Sequence, residues 1–303
     1  MISFRQLQCL TAVAETLHFR RAAERLHMSQ PALSAQILQL EDHLGVMLVE
    51  RTRRKVLLTP IGRAVVTRAR AVLRDVGELE EIAHQAQAPL SGTLRVGVLR
   101  TLGPYLLPHI LPELRGSFPE LKLYLREEPR ERLLAELAQG DLDIVLISAA
   151  PDDDNHLTVT PLFHEPLWLT MPLGHRLAAR TKLAPADLAG ESLIMLEVGD
   201  GMRDPALDLC QRSGASEHRD FRATSLDSLR QMVATGLGTT LLPALYVQAE
   251  ALADDQIAVL SFAVGAPSRP IDMAWRRTTS RFEEFSLFAQ LLRRNLPPCV
   301  DAR

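Results

Sequence analysis

The sequence predicts a multidomain protein of mixed α+β and α/β class, in which a small basic helical module and a long helix precede a larger α/β body. Charge is divided unevenly, because residues 1–74 hold 12 Lys and Arg against 5 Asp and Glu, whereas the remainder holds 22 against 32. After residue 93, short strand-like runs alternate with helical segments, which is typical of sheets covered by helices. A basic module on an acidic body places any nucleic-acid contact in the first quarter of the chain.

Composition limits the class of protein. Hydrophobic residues make up 47% of the 303 residues and charged residues 23%, which is the balance of a globular chain with two or three domains. No apolar run is long enough to span a membrane, and the N-terminal MISFRQLQCL lacks a signal-peptide pattern, so we expect a cytoplasmic protein. Cys9, Cys210 and Cys299 are widely spaced without a C-x-x-C motif, which argues against a disulfide framework or a zinc site.

The segment from Phe19 to Glu50 has the pattern of two short helices joined by a tight turn. Ser29 is a candidate N-cap, and Pro31 falls in the first turn of the second helix, where a missing N–H costs little. The apolar stripe of this helix consists of Leu33, Ile37, Leu40 and Leu44. The residues on the opposite face or at its edge are Gln30, Pro31, Ser34, Ala35, Leu38 and Gln39. The pattern predicts a helix-turn-helix whose second helix enters a DNA groove about 12 Å wide; an ordinary two-helix hairpin in an all-α core is the alternative.

A basic hairpin follows this segment. Gly45 ends the helix, and LVERTRRKVLLTPIG is typical of a strand, a basic tip and a second strand. The cations of this predicted wing are Arg51, Arg53, Arg54 and Lys55. They suit phosphate contacts, which position a protein on DNA without reading its sequence. A solvated basic loop is the alternative.

Two further helices flank the module. The first covers residues 3–17, with Cys9 expected as a small packed residue and not as a sensor. Its predicted buried residues are Phe4, Leu7, Leu10, Ala14 and Leu17. The other runs from Pro60 to about Ala88, with apolar residues at alternating steps of four and three. That period is typical of a helix that supercoils with a partner; a helix packed on its own domain is the alternative.

The body contains short strand-like runs between helical segments, which favours largely parallel sheets. The runs are LRVGVL, LKLYLRE, LDIVLIS, LWLTMP, SLIML, TTLLP, IAVLSF and IDMAW. The intervening helical segments include residues 104–118, 129–139, 205–212 and 226–235. Ligands of open α/β sheets bind outside the carboxyl ends of the strands, so we expect a binding cleft at that edge.

Two loops between a strand and a helix carry the candidate ligand groups. In the first, the Thr101 side chain and the N–H groups of Leu102 and Gly103 are predicted at a helix start, where an anion or polar ligand can bind. In the second, Gly199-Asp200-Gly201 permits an irregular turn before the next helix. Ordinary capped helix starts are the alternative for both loops.

The run AAERLHMSQPALSAQILQLEDHLGVMLVERTRRKVLLTPIG strongly resembles the N-terminal signature of LysR-type transcriptional regulators. This resemblance implies a winged helix-turn-helix at 1–59, a linker helix for dimerisation at 60–91 and an effector-binding regulatory domain at 92–303. It further implies two Rossmann-like lobes of periplasmic-binding-protein type, lobe I at 92–162 and 268–303 and lobe II at 163–267. The implied partners are a double-stranded DNA operator and further copies of the chain, as a homodimer or a dimer of dimers (a homotetramer), with RNA polymerase as another candidate.

Within this family, VGVLRTLGPYLLP, DLAGESLIMLEVGDGMRDPALDLC and FRATSLDSLRQMVATGLGTTLLPAL resemble the OxyR branch, whose members sense hydrogen peroxide. That branch carries a histidine and a peroxidatic cysteine where this chain has Asp200 and Gly201. Cys210 stands at the position of the resolving cysteine. The branch's peroxide-holding threonine is replaced by Arg130, whereas Thr101 matches. Because glycine has no sulfur to oxidise, the two-cysteine switch cannot form between these positions.

The sequence therefore predicts a transcription regulator whose Gln30, Pro31, Ser34 and Ala35 face bases. The expected effector-binding residues are Thr101, Leu102, Gly103, Arg130, Asp200, Gly201, Met202 and Thr224. We expect a small effector, for which an anion is one candidate, because Arg130 can fork an acid group. The alternative is that Arg130 only pairs with neighbouring glutamates; no cofactor or metal is expected. A redox regulator acting through Cys210 is the alternative.

Other classes of function find little support. The sequence contains no G-x-G-x-x-G, P-loop, H-E-x-x-H or G-x-S-x-G motif, so an enzyme is not expected. A transport-type solute-binding protein would share two lobes, but it would need export and would have no use for residues 1–88.

Overall fold

A computed structural model describes residues 2–51, 56–85, 90–151, 155–197 and 201–302 of the chain. The chain forms two compact units, Met1–Ala86 and Gln87–Arg303. No helix in the described ranges is long and apolar enough to cross a membrane.

The N-terminal unit is a winged helix-turn-helix followed by a long helix, as predicted. Its elements are α1 (Phe4–Thr16), α2 (Phe19–Arg25), α3 (Gln30–Leu44), β1 (Val49–Arg51), β2 (Val56–Leu58) and α4 (Pro60–Gln85). Side chains cap the helices as the sequence suggests: the Ser29 hydroxyl accepts a hydrogen bond from Ala32 N at 3.3 Å, and Gly45 ends α3 with φ of +69°. The antiparallel pair β1–β2 forms the wing.

The core of this unit corrects two predicted positions of α1. Leu10 is fully buried, whereas Phe4 and Leu17 are 43% and 46% exposed. Both lie at the ends of α1, since Phe4 is its first residue and Leu17 is its left-handed C-cap, and the buried residues of the helix lie between Gln6 and Val13. In α4, Val66 and Ala69 pack into the core but Val72 is exposed. The first half of α4 therefore packs on its own unit and leaves Val72 uncovered.

The C-terminal unit is an α/β structure with two cores. Its strands are β3 (Gly92–Val98), β4 (Leu121–Glu127), β5 (Ile144–Ser148), β6 (Leu157–Pro172), β7 (Ser192–Leu196), β8 (Ser216–Ala223), β9 (Thr239–Pro243), β10 (Ile257–Leu260), β11 (Ser268–Arg276) and β12 (Asp301–Ala302). Its helices are α5 (Gly103–Ser117), α6 (Arg130–Gln139), α7 (Arg203–Ser213), α8 (Leu226–Ala234), α9 (Ala244–Ala249) and α10 (Phe282–Arg294), with short 3₁₀ turns at Pro185–Leu188 and Ala251–Ala253.

The strands follow the order β4-β3-β5-β11-β6-β9-β7-β8, with β10 and β12 also paired to β6. Strands β3, β4 and β5 are parallel in one lobe, and β7, β8 and β9 are parallel in the other. However, β6 and β11 run antiparallel to their neighbours, so the expectation of largely parallel sheets holds only within each lobe. These two strands connect the lobes, and each core is an apolar cluster on one side of that connection.

Candidate functional site

The outer face of α3 is open to solvent at its N-terminal end. Leu33, Ile37 and Leu40 are fully buried, which turns Gln30, Pro31 and Ala35 outward into exposed positions. Ser34 is half-buried. The exposed polar face and the buried stripe are thus arranged as a recognition helix requires.

The wing is fastened to α3 by a carboxylate that the sequence did not single out. Glu41 Oε1 accepts hydrogen bonds from the backbone N–H groups of Leu48 and Val49, at 2.7 and 2.9 Å. Of the four predicted wing cations, Arg53, Arg54 and Lys55 lie outside the described residues, and Arg51 is described only through its backbone in β1.

The first predicted effector loop is engaged in internal hydrogen bonds. The N–H groups of Leu102 and Gly103 both donate to the Leu99 carbonyl oxygen at 2.9 Å, and the Leu102 side chain is fully buried. The prediction that these N–H groups are free for an anion is therefore wrong, because the tight turn after β3 uses them itself. Gly103 also has the Glu127 carboxylate close to it, a negative charge already at this helix start.

Thr101 is held by a buried ion pair at the junction of the lobes. Arg269 and Glu165 have no exposed side-chain surface, and Arg269 Nε and Nη2 donate to Glu165 Oε2 at 2.9 and 2.7 Å. Arg269 also donates to Thr101 Oγ1 at 2.7 Å and to the Thr101 carbonyl oxygen at 3.0 Å, while Glu165 Oε1 accepts from Leu245 N at 3.0 Å. We call this cluster the interlobe brace, because it joins the end of β3 to β6, β11 and the start of α9.

Arg130 begins α6 and points to the end of β5. Its Nη2 donates to the Ala149 carbonyl oxygen at 2.6 Å. The nearby glutamate Glu128 pairs instead with Arg100, Arg126 and Arg132 at 2.8, 3.9 and 3.3 Å. The alternative that Arg130 serves only to neutralise adjacent glutamates therefore finds no support in these contacts. Arg130 Nε is buried and has no hydrogen-bond partner among the described residues.

Gly201 packs directly against Ser148 of β5. It has a φ of +70°, and a Cβ added there would overlap with the Oγ and Cβ atoms of Ser148. Glycine at 201 therefore leaves no free volume, because the Ser148 side chain fills the space that a Cβ would take. The Ser148 hydroxyl is 1% exposed and finds no hydrogen-bond partner in the described part of the chain.

The remaining predicted effector residues are not gathered at this point. Met202 is buried in the core of the second lobe, where it lines a small cavity of about 10 Å³, enough for one water molecule. Thr224 is exposed just before the Ser225 N-cap of α8. Asp200 lies outside the described residues. Arg203 anchors the start of α7 through a two-pronged ion pair with Glu217 of β8, at 2.8 and 2.7 Å.

The three cysteines are free thiols in shielded settings. Cys9 and Cys210 are buried and Cys299 is partly buried. Burial is the main cause that raises the thiol pKa of each, and for Cys210 the charge of Glu217 adds to it. A raised thiol pKa reduces the thiolate fraction and with it the reactivity toward oxidants. No cluster of metal-ligating side chains occurs in the described ranges.

The structure adds Ser148, Glu165 and Arg269 to the residues found from the sequence. Ser148 carried a weak signal, since a polar residue closes the otherwise apolar strand IVLIS. The brace carried none, because its side chains Thr101, Glu165 and Arg269 are separated by 64 to 168 positions.

A winged helix-turn-helix together with a two-lobed α/β unit defines a transcription regulator with an effector domain. Residues 4–63 match the family model of the bacterial regulatory helix-turn-helix protein, lysR family, and residues 87–297 match the LysR substrate binding domain. The chain therefore belongs to the LysR family of transcriptional regulators. These regulators bind DNA operators, form oligomers and are not enzymes.

Similarity to characterised relatives extends over the full chain. The chain is 45% identical over 300 residues to the DNA-binding transcriptional dual regulator OxyR of Escherichia coli K12. The alignment covers 99% of this chain and 98% of that protein. It is also 35% identical over 292 residues to the HTH-type transcriptional regulator EstR of Acinetobacter baylyi, in an alignment that covers 96% of both proteins.

Among solved structures, a full-length OxyR variant from Pseudomonas aeruginosa matches with a TM-score of 0.78 and 34% identity, covering 97% of this chain and 95% of that one. A hydrogen-peroxide-bound OxyR mutant from Corynebacterium glutamicum matches with a TM-score of 0.67 and 32% identity, covering 97% and 92%. The chain is thus an OxyR-like DNA-binding transcriptional regulator.

Proposed function

We propose that this regulator responds to a small anionic ligand bound between the lobes of its C-terminal unit, and not to a disulfide between two cysteines. The observation that supports this most directly is the close packing of Gly201 on Ser148, which leaves no room for a thiol side chain at residue 201. The resemblance to the OxyR branch implies that this is the position of the peroxidatic cysteine. The side chains near residue 201, Arg130 above all, suit the binding of a ligand and not the formation of a disulfide.

The remaining thiols support the same proposal. A sensor cysteine needs thiolate character and access to its oxidant. Cys210 is 6% exposed, and burial raises the pKa of its thiol. No cationic side chain is among the causes of that shift, so nothing there favours the thiolate.

Arg130 supports an anionic ligand. It lies at the carboxyl end of a parallel sheet, where ligands of α/β proteins bind. Its guanidinium uses one Nη2 donor on Ala149 and retains Nε without a partner among the described residues. A guanidinium with free donors is well suited to hold a carboxylate or another planar oxyanion.

For the DNA contacts, we propose that Gln30, Pro31, Ser34 and Ala35 face base edges, while the wing cations Arg51, Arg53, Arg54 and Lys55 bind phosphates. Arg53→Ala should weaken binding to all sequences alike and reduce the slope of log affinity against log salt by about one. Ser34→Arg should change which sequence is preferred. Gel-shift titrations over a panel of operator variants measure both effects; a uniform loss of affinity from both substitutions would contradict the assignment.

Footprinting of the full-length protein on its operator tests the proposed signal. We expect the footprint of the reduced protein to be the same before and after hydrogen peroxide, with all three cysteines still unmodified by mass spectrometry. A variant with all three cysteines replaced by serine should give that same footprint. A peroxide-dependent footprint that disappears in this variant would refute the proposal.

A redox regulator acting through Cys210 is the second candidate. It is favoured by the names of the relatives, several of which are hydrogen peroxide-inducible genes activators at 45% identity. Under this alternative, peroxide would produce an oxidised Cys210 or an intermolecular disulfide, and Cys210→Ser alone would abolish the change in footprint. Cys299→Ser is the matched control, since burial raises the pKa of that thiol as well.

A further inference from the structure

The outer face of α3 carries an exposed leucine that the proposed DNA contacts do not use. Leu38 is 50% exposed, whereas Ile37 beside it and Leu40 are fully buried. Because a helix turns by about 100° per residue, Leu38 lies on the side away from the core, one turn beyond Ser34. A single exposed leucine is ordinary on a protein surface, but the surroundings of Leu38 on this helix are not.

Leu38 belongs to a line of outward residues that runs along α3. Pro31, Ala35, Leu38 and Asp42 follow each other at steps of four, three and four, which places them within about 60° of one another around the helix. All four are exposed. We call them the outer line. Its first three members are apolar, so α3 presents carbon on the side away from the core as well as toward it, which folding of the helix onto its unit does not require.

The charges of α3 restrict what this side of the helix can read. The helix contains no Lys or Arg, and its acidic residues, Glu41 and Asp42, lie near its end. Arg and Lys are the side chains that most often read guanine through O6 and N7, so α3 has no group for that contact. Phosphates repel the carboxylate of Asp42. Leu38 is therefore the last residue of the outer line before a charge that DNA disfavours.

We infer that Leu38 contacts the C5-methyl group of a thymine in the major groove and so sets a preference for a T·A pair at that position. This inference rests on the proposed function, which places the start of α3 against base edges. Leu38 lies about 6 Å beyond Ser34 along the helix axis, or about two base-pair steps. The thymine is thus about two pairs from the base that Ser34 faces.

Thymine fits Leu38 better than the other bases do. It is the base that presents an apolar group in the major groove. Cytosine presents its N4 donor there, and the purines present N7 together with O6 or N6. A leucine pressed on any of these would cover a polar atom without replacing its hydrogen bond to water. Burial of one methyl group against the leucine should change the affinity by about three- to fivefold.

The test uses the full-length protein and a DNA duplex that it selects from a random-sequence pool. Each thymine of this duplex is replaced in turn by deoxyuridine, which removes the C5-methyl group and keeps the hydrogen-bonding groups of the base. Equilibrium binding is measured by fluorescence anisotropy at one salt concentration. We expect one thymine in each half-site at which deoxyuridine weakens binding of the wild type by about three- to fivefold. At that thymine, deoxyuridine should not change the binding of Leu38→Ala, because the methyl group has then lost its contact.

Two further variants separate the methyl contact from other effects of the substitution. Leu252→Ala removes a leucine that is 57% exposed in the C-terminal unit, and it should keep the full effect of deoxyuridine. Leu38→Met keeps an apolar side chain on the outer line and should keep most of that effect. Circular dichroism should give all three variants the helical content of the wild type, since both leucines are exposed.

Equal effects of deoxyuridine on the wild type and on Leu38→Ala at every thymine would overturn the inference. Loss of the methyl effect in Ala35→Gly but not in Leu38→Ala would assign the contact to Ala35 instead. A changed oligomeric state of Leu38→Ala in analytical ultracentrifugation without DNA would also overturn it, because Leu38 would then contact a second copy of the chain. In each case Ser34→Arg can still change the preferred sequence, so failure of this inference is distinguishable from failure of the proposed function.

Discussion

Removal of Arg269 should destabilise the C-terminal unit more than any exposed ion pair could. The side chains of Arg269 and Glu165 have no exposed surface, and four hydrogen bonds of 2.7 to 3.0 Å join Arg269 to Glu165 and Thr101. Arg269→Met keeps most of the side-chain volume but leaves the Glu165 carboxylate buried without its counterion. Loss of one partner of such a pair costs about 3–5 kcal/mol.

The double variant Arg269→Met/Glu165→Leu sharpens this prediction. It removes both charges, so most of the electrostatic penalty should disappear. However, Leu245 N then loses its acceptor, which costs about 1–3 kcal/mol. We therefore expect the double variant to be more stable than Arg269→Met and less stable than the wild type.

Urea unfolding followed by tryptophan fluorescence measures the effect. Trp168 lies on β6 and Trp275 on β11, the strands that carry Glu165 and Arg269, so the signal reports on this unit. Arg212→Met is the control, because it breaks an exposed pair with Asp208 and should cost less than about 1 kcal/mol. A loss below about 1 kcal/mol for Arg269→Met, with an unchanged m-value, would refute the reasoning.

Three further predictions concern packing and pH. Gly62→Ala should destabilise the N-terminal unit by about 1–3 kcal/mol, since its Cβ would overlap with the backbone carbonyl of Leu48. Gly77→Ala in the same helix has open space and should stabilise the unit by up to about 1 kcal/mol. Thermal unfolding followed by circular dichroism compares the two variants. Burial and nearby carboxylates raise the pKa of Tyr105 to about 12. The stability that this shift contributes is complete below about pH 10 and is lost as the pH rises through about 12. Tyr105→Phe should therefore reduce the fall in the free energy of unfolding over that alkaline range. The hydrogen bond from Arg203 lowers the pKa of Glu217. The stability that the ionised Glu217 contributes is present above about pH 4.3 and is lost as the pH falls through the folded-state pKa. Glu217→Gln should reduce the loss of unfolding free energy at acid pH, and an unchanged loss would contradict this prediction.

The N-terminal unit could be predicted from the sequence because its determinants are local. The Ser29 cap, the stripe from Leu33 to Leu40 and the terminating Gly45 all lie within one helix, and each has its predicted place. The two exposed exceptions in α1, Phe4 and Leu17, depend on where the helix ends meet the core, which periodicity does not specify.

In the C-terminal unit, prediction succeeded for elements and failed for contacts between them. The strand β8 reads SEHRDFRA, without the apolar pattern of a buried strand, because it lies at the edge of the sheet and is largely exposed. Residue 201 is a glycine, so the absence of a thiol there could be read directly from the sequence. The filled space around it depends on Ser148, a residue 53 positions earlier that only the folded sheet brings close.

The turn after β5, residues Ser148 to Ala150, and the interlobe brace are connected through β11. Ser148 pairs with Ile271 in the sheet, and the next residue, Asp272, accepts the hydrogen bond from Ala150 N. Arg269, the centre of the brace, lies two residues before Ile271 on the same strand. Because β11 also pairs with β6 on its other side, this turn is linked by hydrogen-bonded strands to both lobes. The hydrogen-bonded strands β5, β11 and β6 therefore form a continuous path from this turn to both lobes.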